Sequence, residues 1–312
     1  MKSFAGSFII VAAISLVLPR ADMAIWPALL ARPFQDAANG SSFSCPMHPD
    51  VKSGRAGVCP RCGMALVPMD SELVGQYLLD FDLTPGPLRA GERGRVRFFI
   101  SDPRTHAIVR DFDLIHEKRL HLFIVSDDLE YFSHVHPVLH PDGSWDLDVV
   151  LPRQGVYQLC ADFMPAGGTP QLIQKSVITA GYAGDLAEAA SHLVPDLTPK
   201  TLGGVRVRIE TPRAIAGIEQ SLTFVLEDAG NGEPIRDLEP FLGAWGHLFI
   251  ASWDLADVTH SHPLPEVSVP GGPTITFQTR FARSGLYRVW AQFERRGETI
   301  TAPFTIPVGE RR

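Results

Sequence analysis

The sequence predicts a mainly β protein: a small Cys/His metal knuckle followed by two tandem immunoglobulin-like or cupredoxin-like β-sandwich repeats. Three observations carry this expectation. Short runs of Val, Ile, Leu and Phe are punctuated by 27 Gly and 26 Pro, the pattern of many short strands joined by turns. A stretch of about 100 residues occurs twice, a size that suits an independent sandwich rather than a solenoid repeat. Cys45-Pro-Met-His48 and Cys59-Pro-Arg-Cys62 place two closely spaced ligand pairs ten residues apart, as a tetrahedral metal requires.

The chain begins with Lys2 and then the apolar run Phe8 to Leu18, closed by Pro19 and Arg20. Eleven apolar-type residues suit the core of an export signal and fall short of the ~20 that span a bilayer. Residues 1–24 are therefore expected to be a signal peptide or an uncleaved N-terminal anchor. The chain is expected to be periplasmic or secreted, touching a membrane only through that segment. Residues 25–42 read as a linker ending in Asn39-Gly-Ser-Ser42. The remaining 270 residues suffice for two or three domains with hydrophobic cores. A net charge of -7 and the lack of any basic stripe exclude a general nucleic-acid partner.

Residues 43–70 form the expected knuckle. Prolines fix the backbone at each ligand pair, and Gly54, Gly57 and Gly63 permit tight turns. Three Cys and one His make a good Zn(II) set. Met47, Met64 and Met69 crowd the same stretch, and thioether with thiolate favours Cu(I). Phe43-Ser-Cys-Pro-Met-His-Pro-Asp-Val51 and Gly57-Val-Cys-Pro-Arg-Cys-Gly-Met-Ala-Leu-Val-Pro68 resemble the heavy-metal-binding domain. That short module is found in copper and silver efflux adaptors and at the N-termini of some heavy-metal P-type ATPases. By position, the resemblance points to Cys45, His48, Cys59 and Cys62 as ligands, with Met47 and Met64 as soft ones. It implies a bound heavy-metal ion, Cu(I) or Zn(II) foremost, and it does not imply transport.

The two repeats run over 76–181 and 203–309, with a connector at 182–202. His121 to Pro137 and His247 to Pro263 agree at 10 of 17 positions. The register holds upstream at an offset of 126, pairing Gly91 with Gly217, Phe98 with Phe224 and Asp111 with Asp237. Downstream the offset grows to 130, where Gly155-Val-Tyr157 matches Gly285-Leu-Tyr287. This Gly-x-Tyr entering a late strand resembles the tyrosine corner of immunoglobulin-like sandwiches. Asp185 to Val194 has helical composition, and one short helix is expected there before Pro195. Cys160, in an apolar run, reads as a small buried hydrophobe.

Six of the eleven histidines occupy equivalent places: His121, His134 and His136, and His247, His260 and His262. If a turn joins Ser126 to Leu129, His121 lies across from His134 with His136 on the same face. Three imidazoles on one patch make a secondary site for Zn(II) or Cu(II). The plainer alternative is that the rings hydrogen-bond to nearby backbone or to Asp128 and Asp254. His106, His116 and His140 adjoin the first patch without counterparts in the second unit, and His192 reads as solvated. Asp146 and Asp162 read as surface or strand-end carboxylates.

No phosphate loop, nucleophile elbow or H-E-x-x-H occurs, so no enzyme is expected. The expected function is binding heavy-metal ions (Cu, Ag, Zn) outside the cytoplasm, for sequestration or for delivery to an efflux pump or metalloenzyme. The competing readings are an adaptor protein with a structural zinc knuckle and protein-binding sandwiches and, less favoured, a secreted metal-dependent enzyme.

Overall fold

The computed structural model describes residues 43–44, 51–55, 66–68, 76–166, 168–185, 188–264 and 267–311. The expected export segment, the expected linker and all six expected knuckle ligands (Cys45, Met47, His48, Cys59, Cys62 and Met64) lie outside the described residues. What is described of the knuckle is a small antiparallel sheet. Its strands are Phe43–Ser44 (β1), Lys52–Ser53 (β2) and Val67–Pro68 (β3), with β1 in the centre. Leu66 is buried there against Phe43 and Val51. So few apolar side chains bury too little surface to fold alone.

Both later units are sandwiches of two antiparallel sheets. The first contains Leu78–Thr84 (β4), Arg93–Ser101 (β5), Phe112–Asp113 (β6), Leu120–Ser126 (β7), Phe132–Val135 (β8), Val138–Leu139 (β9), Ser144–Val150 (β10), Val156–Pro165 (β11) and Gln171–Ile178 (β12). Its sheets run β4-β5-β10-β9 and β12-β11-β7-β8, with β6 also pairing with β11. The second contains Lys200–Leu202 (β13), Val205–Glu210 (β14), Glu219–Asp228 (β15), His247–Ser252 (β16), Val258–Ser261 (β17), Thr274–Arg280 (β18), Gly285–Arg295 (β19) and Glu298–Val308 (β20). Its sheets run β13-β14-β15-β18 and β17-β16-β19-β20. Strand for strand, β4-β5-β10 corresponds to β14-β15-β18, and β12-β11-β7-β8 to β20-β19-β16-β17.

The outer sheets show period-two burial. In β5, Val96, Phe98 and Ile100 point into the core while Arg93, Arg95 and Arg97 face out. In β15, Leu222, Phe224 and Leu226 do the same. Gly91 and Gly217 start these strands at φ 75° and 72°, and their amides bond to Leu151 and Phe281. A left-handed residue at this turn is cheap only for glycine. The tyrosine corners form in both units. Tyr157 Oη donates to the Arg153 carbonyl at 2.9 Å, and Tyr287 Oη to the Arg283 carbonyl at 3.2 Å.

The inner strands β7 and β16 are buried along their whole length. One face of β7 (Leu120, Leu122 and Ile124) fills its own sandwich. The other (Phe123 and Val125) joins Phe249, Ala251 and Trp290 of the second sandwich. A strand covered on both faces reads as a continuous apolar run, which is why Leu-Phe-Ile recurs in both. The two inner sheets thus pack face to face, with Phe123 stacked on Phe249 at 4.4 Å between centroids and Phe132 on Trp290 at 4.8 Å. Cys160 belongs to this cluster. It is fully buried and free, and burial pushes its thiol pKa up to about 12.

The connector corrects one expectation. Among its described residues there is no helix. Glu188, Ser191 and Leu193 instead donate to the carbonyls of Asp185, Glu188 and Ala190 in successive three-residue steps. Ala190 and Leu193 dock into the shared apolar cluster, so packing rather than helical propensity sets the path of the chain.

Candidate metal centre

The six histidines are brought together at one edge of the interface between the sandwiches. In each unit the triad spans two neighbouring strands and the residues just past the second. His121 lies on β7, His134 on β8 and His136 just beyond it; His247 opens β16, His260 lies on β17 and His262 just beyond it. Within each triad, one ligand-capable atom per residue lies within 4.8 Å of the others. The register differs from the expected one by two residues. His134 pairs across from Phe123, which places His136 rather than His134 opposite His121. The cause is a longer loop: the Leu129 amide closes a turn on the Ser126 carbonyl at 2.9 Å, but the Ser126 amide donates to the Tyr131 carbonyl two residues further on, and Leu129 turns through φ 58°. The side-chain face is unchanged, because a shift of two preserves it.

Four of the six rings are oriented by a partner outside their triad. His121 Nε2 is 2.9 Å from the Ile115 carbonyl, and His247 Nε2 is 3.0 Å from that of Phe241. A carbonyl only accepts, so both Nε2 atoms carry hydrogen and both Nδ1 atoms present lone pairs. His134 Nδ1 is 2.7 Å from Gln292 Oε1. Gln292 donates its own amide to Thr301, which leaves that oxygen to accept. His260 Nδ1 is 2.6 Å from Asp162 Oδ2. Both rings therefore turn a bare Nε2 inward. His134 Nε2 faces His121 Nδ1 at 3.0 Å, and His260 Nε2 faces His247 Nδ1 at 3.1 Å. His136 Nε2 stands 3.2 Å from His121 Nδ1, and His262 Nε2 is buried with no hydrogen-bond partner.

Two facing lone pairs with no hydrogen between them repel; a cation between them removes the repulsion. Ligand nitrogens about 2.0–2.1 Å from a tetrahedral zinc lie about 3.3 Å apart, close to the spacing seen here. Burial, with help from neighbouring rings, keeps the imidazoles neutral. It lowers His134 to about 2, His136 and His116 to about 4, and His247, His260 and His262 well below the usual value. His121 is also lowered by burial. Burial pushes Asp162 up to about 6, with the neighbouring histidines opposing, so it is ionised at neutral pH. Its contact with neutral His260 is a charge-assisted hydrogen bond rather than an ion pair.

Several residues sit elsewhere than their sequence context suggested. Asp162 lies within β11, paired with His121, and its side chain is 15% exposed, so it is neither a surface nor a strand-end group. Asp128 and Asp254 do not touch the histidines. They accept from the hydroxyls of Ser126 and Ser252 and shape the two loops. His116, adjacent to the first triad in sequence, stacks on His262 of the second at 3.5 Å between centroids. Gln292 carried no chemical signal in sequence; only its equivalence to Asp162 at the 130-residue offset would have marked it.

The fold and the site define a strand-rich, two-sandwich chain with paired histidine triads and a heavy-metal-binding segment at its head. The chain belongs to the family described as a domain of unknown function (DUF8832), which matches residues 74–180 and again 200–310. Residues 43–69 match the heavy metal binding domain. A copper-transporting P-type ATPase from Rhizobium leguminosarum bv. viciae is 61% identical over 33 residues, 11% of this chain and 4% of that protein. The chain thus spans only a small fraction of that relative. Among solved structures, a two-domain fibronectin type III segment of chicken tenascin aligns at 13% identity, covering 74% of this chain and 99% of its own, with a TM-score of 0.22. Salmonella alpha-2-macroglobulin aligns at 12% identity over 78% of this chain and 17% of its own, with a TM-score of 0.27. At these scores the fold rests on the strand pairing itself.

Proposed function

We propose that this chain is an extracytoplasmic heavy-metal-ion binding protein, and not an enzyme, that sequesters ions or passes them to an efflux pump or metalloenzyme. The knuckle is its soft site. There Cys45, Cys59 and Cys62 supply thiolates, and His48 or the thioethers of Met47 and Met64 complete a Cu(I) or Ag(I) set. The histidine triads are its second site type, suited to Zn(II) or Cu(II). The observation that carries this reading is the convergence of bare ring nitrogens in both triads, 3.0 and 3.1 Å apart, with the outward nitrogens of His121, His134, His247 and His260 held by acceptors.

The test is metal competition on the full chain, reduced and anaerobic, against Cu(I), Ag(I) and Zn(II). Three proteins are compared: wild type, a variant with Ser at 45, 59 and 62, and one with Ala at His136 and His262. Tight, exchangeable Cu(I) or Ag(I) should vanish in the first variant, and additional Zn(II) equivalents in the second. One inert Zn(II) that no chelator removes would favour a structural knuckle, and unchanged binding in both variants would sink the proposal.

A further inference from the structure

We propose that the two triads form one paired centre in which each sandwich supports the other's ion, and that the second triad, backed by Asp162, binds the tighter of the two. This rests on the reading above that the triads hold metal. The support crosses the interface in both directions. His134 of the first sandwich is held by Gln292 on β19 of the second, and His260 of the second by Asp162 on β11 of the first. Asp162 and Gln292 occupy equivalent positions, each paired across its own sheet with the first histidine of its own triad, His121 or His247. Each therefore belongs by strand pairing to one triad and by hydrogen bond to the other.

The third rings differ, with His136 Nε2 3.2 Å from His121 Nδ1 and His262 Nε2 without a hydrogen-bond partner, but the other supports agree closely. The carbonyl supports are 2.9 and 3.0 Å away, and the facing nitrogens 3.0 and 3.1 Å apart. The difference in ligand support is carboxylate against amide. An anionic acceptor pushes electron density through the imidazole onto its ligating nitrogen and offsets the charge of the ion; a neutral amide offers only a dipole. A second difference falls on the same side. His116 stacks on His262 and fixes its plane, while the equivalent position in the second unit is Leu242, which supplies no such ring. His121, His247 and His260 are buried whereas His116, His134, His136 and His262 are partly exposed, so an ion enters along this rim.

The experiment uses the full chain with Ser at 45, 59 and 62, titrated with Co(II), whose visible bands report nitrogen coordination, and then competed with Zn(II). Two equivalents should bind in steps at least tenfold apart. His262→Ala should remove the tighter step and His136→Ala the weaker. Asp162→Asn should weaken the tighter step by about 10–100-fold, the usual cost of losing such a supporting group. Gln292→Glu should strengthen the weaker step, a gain that misfolding cannot mimic. If no Co(II) or Zn(II) binds, the metal reading of the triads itself fails. If metal binds in two equal steps, or Asp162→Asn weakens the step that His136→Ala removes, the metal reading survives and this inference is overturned.

Discussion

Hydrogen placement on single imidazoles decides what the centre can do. Carbonyls at Ile115 and Phe241 claim one nitrogen of His121 and His247, leaving the other bare toward its triad. Other single side chains carry the packing that holds these rings. Phe123 is fully buried, stacks on Phe249 and lies 4.4 Å from the His134 ring. Phe123→Ala should cost about 3–5 kcal/mol of stability, read as a drop in the urea midpoint, and should weaken metal binding at both triads. Tyr157→Phe removes only the two hydrogen bonds of the corner, to the Arg153 carbonyl and from the Arg153 amide. Its expected cost is about 1 kcal/mol, with metal titration unchanged.

At the scale of elements, two tight turns present the carbonyls that orient the triads. Ile115 and Lys118 exchange backbone bonds around His116-Glu117, and Phe241 and Ala244 around Leu242-Gly243. All four central residues are left-handed, at φ 46°, 66°, 50° and 72°. This is the backbone that two-residue hairpins favour, and glycine is its natural second residue. The first turn has Glu117 where the second has Gly243. Glu117→Gly should therefore raise stability by about 0.5–1 kcal/mol, measured as a higher unfolding midpoint in the metal-free protein. A lower midpoint would show that the Glu117 side chain matters more than its backbone strain.

For the whole molecule, the cluster makes stability depend on pH and, on the proposed function, on metal. Seven histidines have folded pKa values below 6.5, so the unfolded chain binds more protons than the folded one as pH falls beneath that value. Their stabilising contribution is present above pH 6.5 and is lost progressively from there toward about 4 and below. Asp162, raised to about 6, acts in the opposite sense between about 6 and 3.8, one group against seven. The metal-free protein should thus unfold at lower urea at pH 5 than at pH 7. Zn(II) at 100 times its dissociation constant should add about 2.7 kcal/mol per occupied site at pH 7. That gain should disappear with a chelator and shrink in acid.

Much of this was legible in the sequence because it is local or repeated. The Gly-x-Tyr corners, the alternating strands and the doubly buried Leu-Phe-Ile runs follow from side-chain period and turn chemistry. Both histidine triads stood out because a histidine two residues from another on a strand shares its face whatever the exact register. The loop after Ser126 was misjudged because its length is set by the Ser126 and Asp128 side chains rather than by strand pattern. Among the described connector residues no helix forms, because burial of Ala190 and Leu193 outweighs weak helical propensity. The sequence by itself determined a tandem β chain with a soft-ligand head and two histidine triads. Only the tertiary structure decided that the triads meet at one interface, that Asp162 and Gln292 reach across it, and that His116 serves the opposite unit. Those contacts join residues 98 to 158 positions apart, and no periodicity along a chain encodes which face of one sandwich will lie against another.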